Sequence, residues 1–300
     1  MPQELQELSA QGRKAAIVGL WLNAALAASK ITAGILGHSF ALVTDGIESA
    51  ADIFTSVIVY FGLQYAVKPR DEDHPYGHGK AEPLAALAVG VAMAAAGLAI
   101  AVQSVRGMLS PAERPATFTL IVLGVVLVIK ESLFRYVHRV GHGIGSSSVQ
   151  ADAWHHRSDA IVSGLAFVGI SIALLGGPGW EKADDWAALL ASFIILGNAY
   201  RQILRALEEL SDIAPPKEMQ EQVKSVARKV AGVDDLEKCF VRKMGLEYFV
   251  DLHVVVNGDL PVREGHRIAH EVKDAVLAAY PRITEVLVHI EPTGGHSVRA

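Results

Sequence analysis

Hydrophobic and polar positions divide the chain into two regimes. Up to about residue 210, six long apolar runs recur, centred on 15–36, 53–67, 85–102, 118–129, 160–175 and 186–203. Each approaches the roughly 20 residues that a membrane-spanning helix requires, so the pattern predicts six transmembrane helices. The third run, AALAVGVAMAAAGLAIAV, carries no charge and is rich in Ala and Gly, which lets neighbouring helix backbones approach closely. Asn23 and Lys30 interrupt the first run, and the fourth continues amphipathically into KESLFRYVHR. After LSDIAPP the apolar positions turn amphipathic or alternating. A helix is predicted over 217–231, strands over 236–244 and 246–256, a helix after Pro261 and a strand over 284–291. The chain therefore reads as an all-α membrane domain of six transmembrane helices (1–212), followed by a small α+β domain of α-β-β-α-β order (213–300). A core that small gains from pairing with a second copy, which predicts a homodimer.

Composition narrows the function classes. With 51% hydrophobic and 20% charged residues, the chain leans toward the membrane. A net charge of −5 offers no basic surface for nucleic acid, and a single cysteine, Cys239, excludes an intrachain disulfide framework or a Cys-rich zinc knuckle. The polar stretch MPQELQELSAQGRKAA before the first apolar run is unlike a cleavable signal peptide. The N-terminus, the 68–83 loop, the 130–150 connection and the segment after the sixth run hold Arg13, Lys14, Lys68, Arg70, Lys80, Lys130, Arg135, Arg139, Arg201 and Arg205. The opposite loops hold Arg106, Arg114 and Lys182. By the positive-inside rule both termini are cytoplasmic.

Against this apolar background, TDGIESAADIFTS (44–56) carries three carboxylates. Glu48 and Asp52 are four apart and share one helix face; Asp45 lies about a turn earlier, where a helix-end or accessory role suits it. Ionisable groups at membrane depth are costly and point to function. The fifth run opens with ADAWHHRSDAIVSG, where His155 and Asp159 are again four apart, while His156 and Arg157 point elsewhere around the helix. Glu48, Asp52, His155 and Asp159 together make a four-ligand set of one imidazole and three carboxylates. That set suits a divalent transition metal such as zinc or iron(II), with cadmium, cobalt, nickel and manganese also compatible.

Six spans, a ligand pair in the second, another in the fifth, and the α-β-β-α-β tail together resemble the cation diffusion facilitator family of divalent-metal/proton antiporters. The loop DHPYGHGKAE resembles that family's second-to-third-helix loop. The family commonly has His/Asp or Asp/Asp in the second helix; Glu48/Asp52 keeps an oxygen donor but lengthens its reach. The resemblance implies a metallochaperone-like (ferredoxin-like) cytoplasmic domain. It also implies a secondary loop site at Asp71, His74 and His78, and a charge interlock between Lys80 and Asp212. On the tail it implies a binuclear dimer-interface site at His253, His266, His289 and Glu291, with Asp234 a further ligand. His270 lies one turn after His266, and His296 reads as part of a frayed tail.

The expected activity is efflux of a divalent cation, zinc or iron(II) first, by antiport in which metal and protons compete for one site under alternating access. The metal is then both substrate and regulatory ligand, the lipid bilayer and protons are the partners, and the chain is not an enzyme. Its expected address is the bacterial inner membrane. Two other classes compete with this reading. An intramembrane metalloenzyme would need the HExxH helix this sequence lacks. A membrane-anchored metal sensor would bind metal and move none.

Overall fold

The structure, a computed structural model, describes residues 3–36, 40–109, 118–176, 179–180 and 182–293. Within these it leaves out the side chains of 3, 33–36, 40–48, 51, 118, 119, 123, 162, 163, 166, 170, 173, 174 and 184. Six long helices come first: α1 (Gln3–Leu36), α2 (Phe40–Ala66), α3 (Ala81–Leu109), α4 (Phe118–Ile144), α5 (Ser147–Leu175) and α6 (Ala183–Leu210). Among the described residues, 4–32, 81–109 and 185–210 are long and apolar enough to cross a membrane by length and composition alone. Helices α2, α4 and α5 bury several ionisable side chains, among them Asp52, Lys130, Asp152, His155 and His156. All six turn large apolar side chains outward, such as Trp21, Phe54, Leu98, Ile121, Val168 and Phe193. A helix bundle with polar groups inside and hydrocarbon outside is one of the two backbone arrangements a bilayer admits.

Two corrections concern α4 and α5. The 130–150 stretch, read above as a charged connection, is mostly helix: α4 runs through it to Ile144 and α5 starts at Ser147. Gly145 makes so short a turn possible. Its φ of 66° is left-handed, and the Ser146 amide donates to the Gly141 carbonyl at 3.0 Å, closing α4 as glycine typically closes a helix. Ser146 then caps α5, its hydroxyl accepting from the Val149 amide at 3.2 Å. Lys130 is thereby carried from the expected membrane flank into a helix, 1% exposed. Close approach of α3 follows its small residues. A Cβ at Gly97 would lie 3.1 Å from Leu196 on α6, and one at Gly62 on α2 would lie 2.5 Å from Ala85.

Beyond α6 come α7 (Lys217–Ala227), β1 (Asp235–Met244), β2 (Glu247–Val256), α8 (Val262–Ala279) and β3 (Ile283–Pro292). The sheet order is β1-β2-β3, with β1 antiparallel and β3 parallel to β2. Helix α7 ends short of residue 231 because the chain turns at Gly232, whose φ is 89°; a Cβ there would meet Ile268 at 2.7 Å. Leu252 and Val254 of β2 pack with Val223, Ile268, Val272, Val276 and Val286 in one buried core. Strand alternation then sends His253 to the face away from the helices. By contacts the backbone divides into two compact units, Leu8–Leu207 and Glu208–Ala300, the second joined by Met1–Glu7.

Candidate metal centres

Three groups of metal-capable side chains converge among the described residues. The first lies inside the helical unit. Asp52 projects from α2, while His155 and Asp159 project from one face of α5. His155 Nε2 is 3.1 Å from Asp52 Oδ1 and 4.0 Å from Asp159 Oδ2. Asp52 and His155 are buried, and the Asp159 side chain retains 25% of its exposure. Helical spacing explains the pair on α5, and packing of α2 against α5 brings the third group in. Glu48 and Asp45 lie on α2, but their side chains fall outside the described residues.

A fourth side chain in this cluster was missed by the sequence reading. Lys130 Nζ donates to Asp52 Oδ2 at 2.8 Å, to Asp159 Oδ2 at 2.8 Å and to Asn23 Oδ1 at 2.9 Å. The signal was present: a lysine directly following an uninterrupted apolar run is as anomalous as a carboxylate within one. Counting it as a loop charge hid it. Nearby, Lys30 donates to Ser49 Oγ at 2.9 Å, so both polar interruptions of the first apolar run, Asn23 and Lys30, turn out to join α1 to its neighbours. His156 points away from this cluster. It is buried 3.6 Å from Asp152 on its own helix, and Asp152 Oδ1 also accepts from Thr55 and Ser56 of α2 at 3.4 and 3.5 Å.

The second group sits in the loop before α3. His74 donates to Asp71 Oδ1 through its backbone amide at 2.7 Å, and its Nδ1 lies 2.9 Å from the same oxygen. His78 Nε2 is 3.4 Å from Asp71 Oδ2. The His74 and His78 rings stand 4.3 Å apart, and the edge of Tyr65 packs on His78, which is buried while the other two are exposed. The hydrogen bond from His74 holds the Asp71 carboxyl below the usual carboxylate range.

The third group lies on the open face of the C-terminal sheet. His253 and His289 are register partners across the parallel β2–β3 pair. Glu291 Oε1 is 3.1 Å from His253 Nδ1 and 3.2 Å from His289 Nε2. His266 does not join this trio: it is exposed on α8, its ring 4.5 Å from that of His270. Asp234 is also outside it, exposed before β1 with its amide donating to Val255. Lys80 and Asp212 fall in different units, with Asp212 3.9 Å from Arg242 of its own unit. His296 lies outside the described residues.

Comparison with known proteins accords with this layout. Residues 16–211 match the family model described as cation efflux transmembrane domain, and 215–293 match that described as cation efflux protein, cytoplasmic domain. Among relatives, the manganese efflux system protein MneP of Bacillus subtilis is 29% identical over 97% of this chain and 99% of its own length. The uncharacterized transporter YdbO of the same organism is 32% identical over 94% and 96%. The cation-efflux pump FieF of Klebsiella pneumoniae is 28% identical over 93% and 92%. These are transporters rather than enzymes, and similarity over both domains settles the matter: the chain is an integral membrane protein of the cation diffusion facilitator family, whose members export divalent metal cations.

Proposed function

We propose that this protein exports a divalent transition-metal ion by proton-coupled antiport, using Glu48, Asp52, His155 and Asp159 as the transport site. The observation that carries this reading is the convergence of Asp52 with His155 and Asp159 from two helices of the bundle. One imidazole with oxygen donors suits zinc and iron(II) and also accommodates manganese, the metal in the name of one relative. Binding requires a neutral imidazole and ionised carboxylates, so metal and protons exclude one another. Rocking of α2 and α5 exposes the site to each side in turn, and a proton gradient directed inward drives the metal outward.

The other two groups bind the same metal in regulatory roles. Asp71, His74 and His78 form a loop site, and His253, His289 and Glu291 form the nucleus of a site on the C-terminal domain. His266 and Asp234 complete that site only where a second copy pairs with the first, as the small core of this domain favours. The protein works as a homodimer in the bacterial inner membrane, with both termini in the cytoplasm. In proteoliposomes with an imposed pH gradient, Asp159→Ala abolishes metal-dependent proton flux. Flux equal to that of the unsubstituted protein would overturn the assigned site, and ranking zinc, iron(II) and manganese by the flux each elicits identifies the preferred cargo.

A further inference from the structure

The Lys130 ammonium has three N–H donors, and each meets an acceptor on a different helix: Asn23 on α1, Asp52 on α2 and Asp159 on α5. Two of these acceptors are ligands of the proposed transport site. An ion ligated by both would sit about 2.0–2.2 Å from one oxygen of each. Nζ, 2.8 Å from an oxygen of each, stands in that same space, and two cations cannot share it. The third acceptor differs in kind: Asn23 is neutral and buried on α1, so it can keep the ammonium hydrogen-bonded after the carboxylates have turned to another cation.

Resting on the transport site proposed above, we infer that Lys130 is a tethered counter-cation that alternates with the cargo ion between Asp52 and Asp159. The ammonium keeps its proton throughout and changes only its place, withdrawing toward Asn23 as the ion binds and returning as it leaves. Two consequences follow from the charges. Lys130 competes with the cargo, so it weakens metal binding and disfavours monovalent ions, which gain nothing by replacing a charge equal to their own. It also joins the incoming protons in neutralising the site on the return leg of the cycle, when the carrier must reorient without metal and a carboxylate left ionised and alone at membrane depth would resist the movement. Lys130 thus acts through Asp52 and Asp159 as a positioning residue.

The test uses the full-length protein in proteoliposomes with zinc as the probe, and measures equilibrium binding, zinc–zinc exchange and net transport driven by a pH gradient. Lys130→Met keeps an unbranched side chain, one atom shorter, and removes its charge. The expected result is zinc bound at least ten-fold more tightly, exchange retained, and net transport reduced ten-fold or more, with Lys130→Arg recovering part of the net rate. Asn23→Ala removes the neutral resting place and is expected to shift binding the other way, several-fold weaker. The inference is overturned if Lys130→Met binds zinc no more tightly than the unsubstituted protein, or if it loses exchange and net transport in parallel. Should that variant not fold, Asn23→Ala decides: unchanged or tighter binding overturns the inference. Asp159→Ala in the same vesicles separates the two readings, because transport surviving that change removes the site itself.

Discussion

Glu82, in the first turn of α3, caps the start of α5: its Oε1 accepts from the Ser148 amide at 2.7 Å. The same oxygen accepts from the Ser146 hydroxyl at 2.5 Å, and no part of Glu82 is exposed. A carboxylate at a helix N-terminus is favoured by unpaired amides and by the helix dipole. Because α5 carries His155 and Asp159, this contact fixes the axial position of half the proposed site. Glu82→Ala would leave the buried Ser148 amide unpaired, a loss of about 2 kcal/mol, while the Ser146 hydroxyl keeps Ser148 Oγ and the Val149 amide as partners. Thermal unfolding in detergent should shift down accordingly, with Glu82→Gln intermediate because one acceptor remains.

The loop site carries a pH dependence whose sign can be worked out. The hydrogen bond from His74 holds Asp71 below the usual carboxylate range. The contribution of that contact to loop order is therefore present above the ordinary carboxylate pKa and fades as pH falls through the depressed value. On the acid side of neutrality Asp71 stays ionised and so remains an oxygen ligand for the ion. Titrating zinc into Asp71→Asn and His78→Ala forms of the full-length protein checks this. Loss of either side chain should lower the affinity of the loop for zinc, since each supplies one of the three converging ligand atoms.

Much of the fold was legible because its signals are local. Apolar run length marked the six helices, and period-two alternation in 246–256 placed the β2 strand that the structure shows over Glu247–Val256. Spacing of four placed His155 and Asp159 on one face, and spacing of two placed His289 and Glu291 on another. Lys130 was not legible as part of the site, since its meaning depends on which helix lies opposite, and an apolar run that stops at a lysine also fits the end of a span. His266 lies apart from the trio of its own chain for a similar reason: helix α8 covers the core face of the sheet, while His253 and His289 point from the other face.

On that open face, Glu291 bridges two imidazoles that are register partners, an arrangement able to accept an ion with little rearrangement. Ligand binding to the folded state alone stabilises it by about 2.7 kcal/mol at one hundred times Kd. Zinc should therefore raise the unfolding temperature of the C-terminal domain in the full-length protein, followed through the near-ultraviolet signal of Tyr248 and Tyr280. Glu291→Gln keeps the shape and loses the charge, and should reduce this shift to a small remainder. An equal shift in both proteins would place the ion elsewhere.

Asp152 and His156 form a second buried carboxylate–imidazole pair one turn of α5 from the first, and they test whether burial alone signals transport chemistry. Their separation of 3.6 Å and complete burial resemble the neighbouring cluster, yet they face Gly19, Thr55 and Ser56 rather than Lys130. Removing one member of a buried ion pair strands the other, at a cost of about 3 kcal/mol, but Asp152 would keep Thr55 and Ser56 as donors after His156→Ala. The loss from His156→Ala should therefore be smaller than that, and a double-mutant cycle with Asp152→Ala reads the coupling between the two directly. If the pair serves packing alone, the doubly substituted protein transports zinc at a rate near that of the unsubstituted one once it is folded. A double variant that folds, binds zinc normally and fails to couple its movement to protons would instead place Asp152 and His156 on the proton's route.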